Sequence, residues 1–384
     1  MTRIQQSVAL GSILSGMIIP AGVASGGEPG ATPAGAPAAA AHAESGPVAA
    51  VRFDVAALPP LGDIGYAGMY AGVSAGALIA AGGTNFPEAP PWKQGRKVWY
   101  DRIWVLEPGA EAWREAGRLD RPRALGASLS LEQDGGVLCV GGGDDDETFA
   151  DAFVLRYDPV PRSVQREDWP ALPSPVMAAS ITTAAGRVHL VAGHRTISAL
   201  AGDGPLTEVW SIDPNRPSER WRAEPPIPAA GRFLPVVTGD AHHLYVLSGM
   251  TRTTSEDGKP ALHCLADVWR FTAAERSWLA LPPLPRANAA APSPAPMVRG
   301  RIVLLGGGVD DSNFGGPMDR RPGFPATILT VDPVTGSTDG AGEVKSSVVA
   351  ATVVPWQGGY VVVSGEVRAG VRTPAVWVYR PVNQ

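Results

Sequence analysis

Six short runs in which apolar and polar residues alternate recur along the chain: "IWVLEP" (103–108), "VLRYDP" (154–159), "VWSIDP" (209–214), "VWRFTA" (268–273), "ILTVDP" (328–333) and "VWVYRP" (376–381). Their ends are 51, 55, 59, 60 and 48 residues apart. Before each stands an apolar run that finishes in small residues, at Gly83, Gly143, Gly193, Gly249, Gly307 and Gly365. After four of them comes a tryptophan: Trp113, Trp169, Trp221 and Trp278. Alternation with period two predicts strands, and self-similarity at roughly fifty residues predicts a repeat architecture in which each unit covers its neighbour's apolar face.

The pattern resembles the kelch repeat of β-propellers, in which each blade is a four-stranded antiparallel sheet with glycines closing its second strand. It implies an all-β, six-bladed propeller over residues 48–384. The last run leaves only three residues after "VWVYRP", too few for a fourth strand. "VRFDVAALPPLG" (51–62) looks like the fourth-strand stretch "RSWLALPPLPRA" (276–287), so the N-terminal strand is expected to complete blade 6 and close the ring. Strand direction then sends every long loop, including 84–101, 194–208, 250–267, 309–326 and 366–375, to one face, while the first hairpins stay short. Long loops gathered on one face read as a binding surface.

Composition agrees with strands and turns: 46 Gly, 38 Pro and 11 Trp among 384 residues disfavour a helical protein. A net charge of −5 and no basic stretch leave nucleic acid without an electrostatic footprint. Residues 1–24 read as an export signal, with Arg3 before the apolar stretch "VALGSILSGMIIPAGVA" and small residues at its end, Ala24 or Ala43 being the cleavage positions. The stretch falls short of a bilayer span, so no lasting membrane insertion is expected and the mature protein would be periplasmic or secreted. Residues 25–47 are Ala/Gly/Pro-rich and read as a linker. Cys139 and Cys264 can pair or stay as separate buried thiols; neither has metal-ligand spacing.

Candidate chemistry concentrates in "SGEVRAGVRTP" (364–374). Glu366 follows the Ser–Gly pair that ends an inner strand, and Arg372 returns six residues later. A carboxylate beside an arginine is a base before it is an acid, yet the same spacing also describes a loop salt bridge. Arg368, in the same loop, reads as a rim residue. Corresponding loops offer Asn85, Arg96, Lys97, Trp99 and Tyr100, then His194 and Arg195. Arg123, Arg232 and Arg286 each precede a first strand. Several arginines around one funnel favour an anionic ligand, although each can equally stabilise its loop. The run Asp144–Asp146 reads as a solvated turn. No Gly-x-Ser-x-Gly elbow, phosphate loop or His-x-x-x-His pair is present.

"AAGGTNFPEAPPWKQGRKVWYDRIWVLE" (80–107), "RPGFPATIL" (321–329) and "SGEVRAGVRTPAVWV" (364–378) together resemble the cyclically permuted mutarotase family, relatives of bacterial N-acetylneuraminate epimerase. The resemblance runs over residues 50–381. It implies an isomerase that interconverts anomers of an acidic sugar, with Glu366 as the acid/base residue, Arg372 as the partner of the substrate carboxylate, and neither metal nor redox cofactor. "PRALGASLS" (122–130) and "LVAGHRT" (190–196) depart from the family pattern in the loop walls. A non-catalytic propeller binding glycan or protein through the same face is the alternative.

Overall fold

The apolar runs fold as strands, and each successive set of four forms one antiparallel sheet. The computed structural model describes residues 51–382 except 133–134, 217 and 256–257, so the expected signal and linker lie outside the described residues. Blade 1 consists of Tyr70–Ser74, Ala77–Ala81, Arg102–Leu106 and Arg114–Arg118, paired in that order. Blades 2 to 5 repeat the order within 127–169, 180–224, 236–281 and 297–343. Blade 6 takes Val353–Trp356, Gly359–Val363 and Val376–Pro381 from the end of the chain and Phe53–Leu58 from its beginning. The closing strand pairs from Phe53 with Pro381 to Leu58 with Val376, so the two ends of the ring are tied by a full ladder, as the sequence predicts. Three short 3-10 turns are the helical segments among the described residues.

Two belts hold the blades together. At the axis, the amide of Leu125 donates to the carbonyl of Gly68, Ala178 to Leu125, Leu234 to Ala178, Ala290 to Leu234, Ala350 to Ala290 and Gly68 to Ala350, all at 2.7–2.9 Å. These six residues share a left-handed backbone, φ between 48° and 70°. Five of them carry a Cβ, at a cost of about 1 kcal/mol or more each, which the closed ring of hydrogen bonds offsets. At the outer edge, the indole N–H groups of Trp113, Trp221 and Trp278 donate to Pro59, Pro170 and Pro225 of the preceding blade at 2.8–2.9 Å. The periodic tryptophans therefore fill the wide outer gaps and staple them. Between blades lie apolar layers, such as Tyr70, Ile79 and Ile103 against Val137, Phe153 and Leu155. Cys139 sits in that layer and Cys264 in the axial cluster; both are buried and free.

A cavity of about 50 Å³ lies on the axis beside the first strands, lined by small residues including Ser128, Ser180, Ser293 and Thr352. It has room for roughly a few waters and no monosaccharide, and no charged group lines it. The candidate site is built instead from the residues just before the axial ring and their bridge partners at the ends of the second strands, on the long-loop face. No helix among the described residues is long and apolar enough to cross a membrane.

Candidate active site on the long-loop face

Each blade contributes one equivalent position where the chain leaves its second strand. Thr84, Gly143, His194, Met250, Val309 and Glu366 occupy these six places, and each forms an isolated antiparallel bridge with the residue just before the axial ring. Glu366 is the one carboxylate among them. Its amide donates to Val349 and its carbonyl accepts from Val349, at 3.0 and 2.9 Å. Ser364 and Gly365 aim it: the Ser364 hydroxyl accepts from the Tyr66 amide at 2.7 Å, and Gly365 has φ 127°. A Cβ on Gly365 would come within 2.8 Å of the Val348 side chain, so the glycine at the strand end is a steric requirement.

The hairpin Glu366–Arg368 with Val371–Arg372 places Glu366 directly opposite Arg372. Their side chains meet at 3.0 Å, Nη2 to Oε2, and each is only 1% exposed. Glu366 Oε1 accepts from the Gly370 amide at 2.9 Å. Although the pair is close, its angle makes no hydrogen bond: Oε2 of Glu366 and Nε, Nη1 and Nη2 of Arg372 are all buried without a hydrogen-bonding partner among the described residues. The guanidinium lies over the Phe86 ring, 4.7 Å from its centroid. Burial pulls Arg372 below the usual arginine range, against the opposing charge of Glu366. A structural ion pair this deep normally saturates its donors, whereas these are unbonded among the described residues.

Blade 1 supplies the adjacent wall. Thr84–Asn85 pairs with Val98–Trp99, and the Asn85 side chain donates to Gly65 at 2.5 Å. The Lys97 ammonium lies 4.1 Å from the centre of the Trp99 ring, and the Trp99 indole donates to Asp145. Burial first, then the charge of Arg372, push Lys97 down to about 8. Tyr100 packs edge-on against Tyr66 at 5.0 Å, and its phenol is pushed up by burial. Arg96 is exposed.

The other arginines have different roles. Arg123 is buried, with Nη1 bonded to both Asp151 oxygens and Nη2 to Asp120, all at 2.9 Å. Arg232, also buried, holds Asp267 through two bonds of 2.8 Å. Each clamps the start of a first strand to the start of the third strand of the same blade. Arg286 does not share that register; Asn288, two residues before the axial Ala290, does. Arg286 is half-buried, and burial lowers it while Asp310 opposes the shift. Arg195 pairs with Glu208 at 2.5 Å. His194 is buried across the ring from Glu366; its Nδ1 lies 2.6 Å from the Thr196 carbonyl, and burial lowers it to about 4. Arg368 is not a free rim residue. Its guanidinium lies 4.8 Å from the Trp92 ring centre and donates to the Asp319 carbonyl at 3.2 Å, joining loops of blades 1, 5 and 6. The roles of Phe86 and Arg368 leave no local signal, because their partners lie in other loops, although "GGTNFP" contains Phe86.

The structure of YjhT aligns over 85% of this chain and 99% of its own, with a TM-score of 0.61 and 13% identity, which shows the shared propeller fold. Sequence similarity is narrower and more telling. The chain is 34% identical over 125 residues to N-acetylneuraminate epimerase of Brucella suis, and 37% identical over 100 residues to that of Vibrio vulnificus. The likeness is to N-acetylneuraminate epimerases. It spans 29% and 24% of this chain, and only 31% and 25% of those two relatives. Over 89 residues the chain is also 34% identical to N-acetylneuraminate epimerase of Yersinia pestis. No family model matches the chain.

Proposed function

We propose that this propeller is a sugar mutarotase acting on N-acetylneuraminate or a related acidic sugar. The observation that carries the reading is the buried Glu366–Arg372 pair, with three guanidinium nitrogens unbonded beside the one carboxylate of the six-position ring. Partial likeness to proteins named N-acetylneuraminate epimerase supports the substrate class.

In this reading Glu366 takes the proton of the anomeric hydroxyl. The electrons of that O–H bond form the carbonyl, the bond from the anomeric carbon to the ring oxygen breaks, and the ring oxygen receives a proton. Rotation about the bond to the carbonyl carbon and reversal of the steps deliver the other anomer. Arg372 supplies donors for the substrate carboxylate, in the paired geometry that a guanidinium offers. A positioned general base contributes about 10² to 10⁴ in rate. Arg123 and Arg232, engaged by Asp151 and Asp267, take no part in sugar binding in this mechanism.

Freshly dissolved α-N-acetylneuraminate, followed by proton NMR, should equilibrate faster with the protein than without it. If no acidic or neutral sugar equilibrates faster, the reading is wrong and a non-catalytic binder remains. We also place the mature protein in the periplasm or outside the cell, on the strength of the apolar stretch 8–24. N-terminal sequencing of exported protein should then begin after Ala24 or Ala43; a retained Met1 would count against export by cleavage.

A further inference from the structure

We propose that Lys97 is the acid that protonates the ring oxygen as Glu366 deprotonates the anomeric hydroxyl. This inference rests on the mutarotase reading of the same site. Lys97 enters the site from blade 1, the ring neighbour of the blade that carries Glu366. It directly precedes the short strand Val98–Trp99, which is fixed by pairing with Thr84–Asn85. Its ammonium is held over the Trp99 ring at 4.1 Å, and Trp99 is itself anchored by its indole N–H on Asp145 of blade 2. No carboxylate lies within ion-pair distance of Lys97 among the described residues, so the π face of Trp99 is its nearest fixed partner. The charges that act on it are Arg372, Glu366 and Asp145.

The other proton carriers nearby are poorer acids. A guanidinium gives up its proton too reluctantly, which removes Arg372. Tyr100 is turned edge-on to Tyr66, and burial makes its phenol weaker still. Lys97 goes the other way: burial and the neighbouring Arg372 bring it to about 8, where an acid can donate and recover its proton near neutral pH.

The proton balance closes without any outside reagent. Glu366 gains the hydroxyl proton, the ring C–O bond breaks, and Lys97 gives its proton to the departing oxygen, becoming a neutral amine. After rotation the amine takes that proton back from the open-chain hydroxyl as it attacks the carbonyl. Glu366 returns its proton to the new anomeric oxygen, and both residues are reset.

The test measures anomer exchange from pH 6 to 10, after subtraction of the uncatalysed rate, for the wild type, Lys97→Met and Lys97→Arg. The wild type should lose kcat on the alkaline side with a midpoint near 8. Lys97→Met should lose about 10²-fold or more in kcat. Lys97→Arg keeps the positive charge and the stacking on Trp99, so it should keep KM within a few-fold, lose kcat about as far, and show no alkaline limb near 8. If Lys97→Arg retains wild-type kcat, Lys97 serves charge or packing alone and the proposal is overturned. It is overturned equally if Lys97→Met keeps both its rate and the alkaline limb. Should the wild type accelerate no sugar at all, the mutarotase reading fails first and takes this inference with it.

Discussion

Replacing Arg372 by Met tests whether the buried pair is a tie that holds the fold or a site the fold tolerates. Glu366 and Arg372 are each 1% exposed and meet at 3.0 Å, so removing one leaves the other as an uncompensated buried charge. Such a loss costs about 3–5 kcal/mol, a large part of the roughly 5–15 kcal/mol that holds a domain together. The pair itself is poorly satisfied: Glu366 Oε2 and three nitrogens of Arg372 make no hydrogen bond among the described residues. Much of its desolvation penalty is therefore unrecovered, and removing both charges should restore most of the stability lost by removing one. Expected denaturation midpoints in urea at pH 7, with unchanged m values, place Arg372→Met and Glu366→Gln each well below wild type. The double variant Glu366→Gln/Arg372→Met should return to within about 1 kcal/mol of wild type or exceed it, giving a coupling energy of about 3 kcal/mol or more. If the double variant instead loses the sum of the two single losses, the residues act independently and the reasoning from an unsatisfied pair is wrong.

Acid should destabilise the protein through its buried histidines. His189 and His194 are held near 4, mainly by burial, against an ordinary value near 6.5. Their folded forms favour the neutral ring, so the stability is complete above about pH 6.5 and is lost as pH falls towards 4. Each contributes about 3 kcal/mol to that loss, and together they set a slope of up to about 2.7 kcal/mol per pH unit. Urea midpoints between pH 7 and 4.5 should flatten in His189→Gln/His194→Gln; a slope equal to wild type would exclude these two groups. Arg368→Ala removes one stacking contact on Trp92 and one hydrogen bond to Asp319, together about 1–2 kcal/mol. Amide exchange in 91–97 and 318–320 should rise about 5- to 30-fold while the blade strands stay protected, and unchanged exchange there would refute the latch.

The blades were legible because their causes are local and periodic: strand alternation, glycines that must take special backbone angles, and tryptophans spaced to pack the outer gaps, three of which they staple. Glu366 was legible for the same reason, since a Ser–Gly strand end fixes where the next residue points. The arginines were not. Arg123 and Arg232 resemble ligand-binding residues until Asp151 and Asp267, 28 and 35 residues downstream, are seen to engage them. Arg286 looks equivalent to them by motif, yet the axial ring gives that register to Asn288. Arg368 gained its role from Trp92, brought to it by the closure of the ring, and from Asp319 of the neighbouring blade 5. Side-chain partners contributed by distant positions of the chain, in the same blade or in another, leave no mark in the local sequence.

Anomer exchange of α-N-acetylneuraminate by proton NMR, comparing wild type with folded Glu366→Gln, bears most directly on the assigned role of the ring carboxylate. The wild type should accelerate equilibration, and Glu366→Gln should lose about 10²-fold or more of that acceleration at a temperature where it remains folded. A variant that equilibrates the sugar as fast as wild type would contradict the assignment of Glu366 as the base.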